Sequence, residues 1–354
     1  MFILATFSLL ALVISLMNFW TIRTVKNQPA VINKKVSILI PMRNEAKNVT
    51  GCVDSIINQH GLTNFEIIAL DDQSTDGTSI ELQKYKEIKV LAGANLPQDW
   101  LGKLWACHQL SQAASGEILV FLDADVRLKE NAIASSIAAM QDWDFISPYP
   151  KQLSIGLFER IFQPLLHWSW FSSVPLVISQ KFGIKSMAVA NGQFFIVSKN
   201  AYEKSGGHQK IKKEVLDDLE LSRSLLSAGY KGGVAEGGLI SECLMYRSLP
   251  ELISGYRKSL WKAFGGAFPS VLVTVLLLLT GVFTFISAIS GSKVAALAFI
   301  SIYLSRIISS LKSGESTTTA IFHPIAILIF TYITINSWIG RATGTLTWRD
   351  RVIS

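Results

Sequence analysis

Charge is missing from Met1–Trp20, MFILATFSLLALVISLMNFW, which contains no Lys, Arg, Asp or Glu. At the rise of an α-helix these residues reach about 30 Å, the thickness of a hydrocarbon core. Cysteine is nearly missing too: Cys52, Cys107 and Cys243 lie far apart and form no C-x-x-C pair, which argues against a disulfide framework or a zinc site and fits a reducing compartment. No G-x-G-x-x-G follows the first apolar run of the polar middle, so a dinucleotide-dependent oxidoreductase is disfavoured. Gly102-Lys103 resembles the end of a P-loop, but Pro97 stands where its first glycine belongs and Leu104 replaces Ser or Thr. The histidines, His60, His108, His167, His208 and His323, are dispersed and support no Ser-His-Asp framework. The net charge of +7 is carried by scattered or juxtamembrane Lys and Arg. Attraction to anionic lipid heads therefore explains it better than nucleic acid.

Apolar residues are in excess, with a mean hydropathy of +0.36, and the excess is concentrated at the two ends. Arg23, Lys26, Lys34 and Lys35 follow the first run, no basic segment precedes it, and no A-x-A site ends it. This reads as an uncleaved anchor over residues 1–22 with its basic flank in the cytoplasm. Further spans are expected around 267–290, 294–311 and 320–339, giving a C-terminal membrane region over 267–340 and a multi-pass protein of the cell membrane. Between the two regions lie about 240 residues, the size of one α/β domain, with bounds 34–262. Asn48-Val-Thr50 matches a glycosylation sequon, an accident of sequence in a cytosolic domain.

The middle alternates short apolar runs with segments of helical spacing. Val36–Ile40, Phe65–Leu70, Ile88–Leu91, Ile118–Leu122 and Asp144–Ser147 read as strands; Glu45–Gln59, Lys103–Ala114 and Glu130–Met140 read as helices. This βαβ rhythm implies an α/β fold with a mostly parallel sheet, which binds ligands beyond the carboxyl ends of its strands. Charged residues follow three of those strands: Pro41-Met42-Arg43-Asn44-Glu45, Asp71-Asp72-Gln73-Ser74-Thr75-Asp76-Gly77-Thr78, and Asp123-Ala124-Asp125. One acidic pair would read as a helix cap or a solvated turn. Three clusters aimed at one edge read as a site.

With the later Asp217-Asp218-x-Glu220-Leu221, these motifs stand in the order and at about the spacing of family 2 glycosyltransferases with the GT-A fold. The resemblance covers roughly residues 34–262. The stretch Leu96–Ala106 resembles a lipid-directed branch that includes bacterial carotenoid and hopanoid-associated glycosyltransferases and ceramide glucosyltransferase. The resemblance implies a nucleotide-diphosphate sugar as donor and Mg2+ or Mn2+ as cofactor, on a GT-A domain joined to N- and C-terminal transmembrane helices. It places Asp72 on the nucleobase, with Asp71 and Glu45, beside Pro41 and Arg43, shaping that pocket. It assigns Asp123 and Asp125 to the ribose and the metal, Asp125 as the direct ligand, since hard oxygen ligands suit these ions. Lys103 would meet the diphosphate as a point charge. Asn191 and Gly192 resemble the loop that lines the donor sugar, where glycine allows close approach. Arg247 and Lys258 sit where the family often carries a diphosphate clamp, although the Q-x-x-R-W of polymerising members is absent. Asp218 matches the catalytic base, and Asp217 stands where glutamate is common.

The run 161–179, IFQPLLHWSWFSSVPLVIS, has no charge. As a single crossing it would put Asp218 and Asp125 on opposite sides of the membrane, so it reads as an interfacial element with Trp168 and Trp170 among the headgroups, admitting an apolar acceptor; a core-packed helix pair is the other reading. Arg306 and His323-Pro324 weaken two of the C-terminal spans as simple crossings. Arg341, Arg349 and Arg351 conflict with a tail placed outside by three crossings. The expected reaction is inverting transfer to a lipid hydroxyl at the cytoplasmic face. A polyprenyl phosphate or carotenoid carboxylate as acceptor, or a non-catalytic sugar-nucleotide-binding scaffold, are the alternatives.

Overall fold

The computed structural model describes residues 1–348 and 351–352; Arg349 lies outside them. The chain divides into two compact units, one made of 23–151 and 178–243, the other of 1–22, 152–177 and 244–354. The span 34–262 is shared between them.

The first unit is built on a sheet of seven strands. In chain order its elements are β1 (Val36–Met42), α2 (Ala46–Ile57), β2 (Phe65–Asp71), α3 (Thr78–Leu82), β3 (Ile88–Ala92), α4 (Gly102–Ala113), β4 (Ile118–Leu122), β5 (Val126–Leu128), α5 (Ala132–Met140) and β6 (Phe145–Tyr149). After β7 (Lys151–Gln152), and after α7 (Leu176–Phe182), come β8 (Phe194–Ser198), α8 (Lys199–Lys204), α9 (Gly207–Lys210), α10 (Asp217–Ser227), β9 (Gly232–Glu236) and β10 (Ser241–Cys243). The sheet order is β3-β2-β1-β4-β8-β6-β9. It is parallel except that β8 runs antiparallel between β4 and β6. Strands such as β1 and β4 are near-continuous apolar runs because helices cover both faces of the sheet. Leu39, Ile68, Leu119, Phe145 and Val197 of the sheet join Leu104, Leu110, Leu221 and Leu225 of α4 and α10 in one buried cluster.

Register fixes where the polar residues emerge. Met42 pairs with Asp71 between β1 and β2, and Leu39 pairs with Phe121 between β1 and β4, which carries Asp123 to the level of Pro41. Asp72 and Asp123 thus leave the same edge with β1 between them, about 10 Å apart at two strand spacings.

The second unit is helical. It holds α1 (Phe2–Thr21), α6 (Leu157–Phe171), α11 (Leu249–Arg257), α12 (Leu260–Ala263), α13 (Ala267–Leu277), α14 (Thr284–Ile289), α15 (Lys293–Ser313) and α16 (His323–Ala342). A π turn at Leu278–Phe283 joins α13 to α14, and a short hairpin of β11 (Thr347–Trp348) and β12 (Arg351–Val352) follows α16. Four helical stretches, Phe2–Thr21, Ala267–Ile289, Lys293–Ser313 and Thr318–Ala342, are long and apolar enough to cross a membrane. α1 packs along α15, and Lys312 Nζ donates to the Phe19 carbonyl at 2.9 Å, which brings their C-terminal ends together. Asn18, the amide side chain inside the first apolar run, is buried. Its Nδ2 donates to the carbonyls of Phe171 (2.8 Å) and Val174 (2.7 Å), and its Oδ1 accepts from the Leu176 amide (3.1 Å). It thereby satisfies backbone groups at the end of α6, in the turn that follows and at the start of α7.

The run 161–179 departs from the interfacial reading. Trp168 is buried with Ile161, Phe162 and Leu165 against Tyr256, Ile302, Ile327 and Phe330, and its indole N–H donates to Ser305 Oγ at 2.8 Å. α6 is a packed helix of this unit. An apolar face with inward serine partners on α15 favours that seat over the headgroups. Arg23 also departs from a purely lipid-facing flank: it donates to the carbonyls of Ala139 (2.6 Å) and Met140 (2.7 Å) and lies 3.6 Å from the Trp143 ring centre.

Candidate active site

The loops after β1 and β2 lock each other. Arg43 Nη1 donates to the carbonyls of Asp72 (2.6 Å) and Gln73 (3.3 Å). The Ser74 amide donates to Asp71 Oδ1 at 3.0 Å. The Glu45 amide donates to Thr78 Oγ1 at 2.8 Å, while Glu45 Oε2 accepts from Asn48 at 2.7 Å. Asp76 accepts from the amides of Ala46 (3.0 Å) and Thr78 (3.1 Å). These contacts fix the backbone that carries Asp72, which is 3% exposed.

A second cluster forms beyond β4. The Asp123 amide donates to the Gln193 carbonyl at 3.0 Å, tying the loop after β4 to the loop before β8. From the first turn of α4, Lys103 places Nζ 2.9 Å from both carboxylate oxygens of Asp123 and 3.5 Å from Asp217 Oδ2. α10 begins with Asp217, Asp218 and Glu220 in its first turn, where negative charge meets the positive end of the helix dipole. Asp218 Oδ1 accepts from the Leu219 amide (2.8 Å), and Oδ2 accepts from the Gly192 amide (2.9 Å). A Cβ on Gly192 would lie 3.3 Å from Asp218 Cβ and 3.4 Å from Lys103 Nζ, so glycine is what lets this backbone donor approach. Asn191 is committed to its own turn: Oδ1 accepts from the Gln193 amide at 2.8 Å and its backbone pairs with Ser147 Oγ. A pocket opens over these groups, with Pro41, Cys107, Phe121, Phe195, His208 and Leu221 as further walls.

Burial and like charge set the protonation chemistry. Burial first, and Asp217 second, push the Asp218 carboxyl up to about 6, against the pull of its two amide donors. Asp123 is also raised, by burial and by Asp125 and Asp217, with Lys103 opposing. Burial would lower the Lys103 ammonium, but Asp123 and Asp217 hold it well above its ordinary value. Burial pushes His208 down to about 4 and its Nδ1 pairs with the Tyr202 hydroxyl at 2.8 Å, so it walls the pocket as a neutral ring.

Asp125 differs from Asp123. Its Oδ1 is buried and accepts no hydrogen bond among the described residues; burial first, and the Asp125 charge second, hold the nearby Cys243 thiol well above its ordinary value, and Gln193 Nε2 donates to Cys243 Sγ at 3.1 Å. Among the described residues no group of three or more His, Cys, Asp or Glu forms a complete metal cage. A lone oriented carboxylate with a vacant oxygen fits Mg2+ or Mn2+, which commonly take remaining ligands from substrate phosphate and water.

Residues 37–206 match the model of the family described as glycosyl transferase family 2. The chain carries a family 2 glycosyltransferase domain. The 4,4'-diaponeurosporenoate glycosyltransferase of Staphylococcus aureus strain RF122 is 25% identical to it over 337 residues, covering 91% of this chain and 89% of that protein; its counterpart in strain USA300 is similar to the same extent. Among solved structures, the mannosyltransferase PcManGT from Pyrobaculum calidifontis, in complex with GDP-Man and Mn2+, superposes with a TM-score of 0.53 at 16% identity, covering 98% of this chain and 100% of that one. That likeness shows the GT-A fold. The family 2 match ends before Asp217 and Asp218, which α10 brings to the same pocket as Lys103 and Asp123.

The structure brings Pro41, Lys103, Asp123, Gly192 and Asp218 around one pocket of the glycosyltransferase unit. Arg43, Glu45 and Asp71 instead organise the neighbouring loops. Arg247 and Lys258 belong to the helical unit, Arg247 exposed just before α11 and Lys258 ending it. Cys243 and Gln193 were not singled out for the Asp125 side of the site. A lone cysteine on a three-residue strand carries no sequence signal for such a contact; only the pairing of β10 with β5, Cys243 opposite Val126, places it there.

Proposed function

We propose that this chain is an inverting glycosyltransferase that moves a sugar from a nucleotide-diphosphate sugar to an apolar, lipid-type acceptor at the cytoplasmic face of a membrane. The observation that carries this reading is the convergence of Lys103, Asp123 and Asp218 on one pocket, beside a carboxylate, Asp125, with a vacant buried oxygen. Asp72 would receive the nucleobase and Asp123 the ribose. Asp125 would hold Mg2+ or Mn2+, which when bound supplies positive charge to the leaving diphosphate. Lys103 adds a fixed cation at the same place. Arg247 and Lys258 are proposed to clamp the diphosphate. The Gly192 amide keeps Asp218 aimed into the pocket, with Asn191 holding that turn.

For a hydroxyl acceptor, the acceptor oxygen bonds to the anomeric carbon as the bond from that carbon to the diphosphate oxygen breaks. The departing oxygen keeps the electron pair, and Asp218 takes the acceptor proton. A carboxyl raised to about 6 is ionised yet still basic near neutral pH. A second reading is favoured by the name of the Staphylococcus aureus relatives, whose diaponeurosporenoate is a carboxylate: such an acceptor attacks as an anion, forms an ester and gives Asp218 no proton to take. The basic flank Lys26, Lys34 and Lys35 after α1 supports the cytoplasmic side. Incubating the purified full chain with Mn2+, a panel of sugar nucleotides and host lipid extract, followed by mass spectrometry of the lipids, tests the proposal. A hexose-sized mass gain on an apolar lipid is expected. No metal-dependent transfer or hydrolysis with any donor would favour the scaffold alternative instead.

A further inference from the structure

The helical unit holds a second cation that the reaction does not use. Arg306 sits on α15 and is 1% exposed. Its Nη2 donates to the Ile161 carbonyl at 3.2 Å, while Nε and Nη1 have no hydrogen-bond partner among the described residues. Among the described residues no carboxylate forms an ion pair with it; the charge of Glu315 acts on it from beyond that distance. At 1% exposure the guanidinium is turned into protein, so it does not snorkel to water.

His323, the first residue of α16, is 0% exposed, and neither ring nitrogen has a hydrogen-bond partner among the described residues. Its backbone N–H donates to the Ala320 carbonyl, since the turn Thr318–Phe322 runs directly into α16. Trp168 connects the two groups: Arg306 Cζ lies 6.0 Å from its ring centre, and the His323 ring lies 4.9 Å from it, edge to face. The adjoining polar groups are satisfied without them, Trp168 Nε1 by Ser305 and His167 Nδ1 by Ser309 at 2.7 Å.

A buried guanidinium with no carboxylate in ion-pair reach among the described residues is costly unless an anion meets it, and unused donors are costly as well. Two features of one locality call for the same partner: two guanidinium N–H groups and an imidazole, all buried and without a hydrogen-bond partner among the described residues. We propose that Arg306 and His323, set against the Trp168 indole, bind the anionic end group, carboxylate or phosphate, of an apolar-chain ligand. The guanidinium presents paired donors to two oxygens of such a group, a geometry lysine lacks. The tail would lie among the apolar side chains around α6, α15 and α16. This site is independent of the transfer reaction proposed above.

The test is thermal unfolding of the purified full chain in a neutral detergent, titrated with oleate, dioleoyl phosphatidylglycerol, methyl oleate and acetate. Oleate or the phospholipid should raise the midpoint by about 5 °C at saturation, whereas methyl oleate and acetate should leave it unchanged. A response to oleate alone identifies a carboxylate ligand, to the phospholipid alone a lipid headgroup, and to both the anion class. No rise with either anionic amphiphile overturns the proposal, and so does an equal rise with methyl oleate; neither outcome depends on a variant. Arg306→Gln, where it folds, should abolish the rise, and an undiminished rise in that variant contradicts the assignment.

Discussion

Lys103, partly buried, and Arg306, fully buried, are both cations held inside the protein, and the protein treats them oppositely. Around Lys103 the glycosyltransferase unit gathers Asp123 at 2.9 Å and Asp217 at 3.5 Å, so the ammonium is counter-balanced before any ligand arrives. Around Arg306 the helical unit supplies one carbonyl and leaves two donors open. A balanced cluster holds its geometry and is pre-organised for charge that develops during reaction. An unbalanced cation fixes little alone but offers a large gain to whatever anion reaches it. The same contrast exists on a smaller scale within the first site, where Asp123 is engaged by Lys103 and Asp125 keeps a vacant oxygen.

The sharpest way to break this comparison is at the vacant oxygen. Asp125→Asn should lower kcat/KM by about 1000-fold with Mn2+ saturating, as expected when transition-state charge stabilisation is lost, while leaving the unfolding midpoint near wild type. Asp218→Asn should cost about 100-fold with a hydroxyl acceptor, and much less with a carboxylate acceptor, so assaying one variant against both acceptor types separates the two readings. Because Asp218 must be ionised to take a proton, kcat/KM for a hydroxyl acceptor should rise as pH increases through about 6 and then level off. That acidic limb should vanish in Asp218→Asn.

Lys103→Met should unbalance the first cluster. It leaves Asp123 and Asp217 without their cation, and denaturant unfolding should report a loss of about 2 kcal/mol, discounted for the partial exposure of the group. Donor KM should rise about 10-fold in the same variant. Arg306→Met removes a charge that forms no ion pair among the described residues and feels only the more distant Glu315, so in ligand-free detergent its stability should stay within about 1 kcal/mol of wild type. A large loss on Arg306→Met, or none on Lys103→Met, would erase the distinction between the two cations.

Much of this architecture is legible in the residues. β1, β2 and β4 declare themselves as apolar runs of strand length, and because they are parallel their trailing acidic motifs share one edge. The four long apolar helices follow from span length alone. Trp168 was misplaced because a charge-free run with tryptophans satisfies an interfacial pattern and a packed helix equally well; the deciding partners, Ser305 and Ser309, are more than 130 positions away. Asn18 is opaque for a similar reason, since its work is done on the end of α6. Arg23 reads as topology signal by composition, but its guanidinium is directed to the end of α5 and to Trp143 by contacts no local pattern encodes. The Asp125–Cys243 contact depends on strand register, which a three-residue strand does not announce.

The most direct measurement is Mn2+ binding by the purified full chain, followed by electron paramagnetic resonance with and without UDP and GDP, for wild type and Asp125→Asn. The account predicts that at least one nucleoside diphosphate tightens Mn2+ binding in the wild-type chain and that this coupling is lost in Asp125→Asn. Equal nucleotide-dependent Mn2+ binding by both proteins would contradict it.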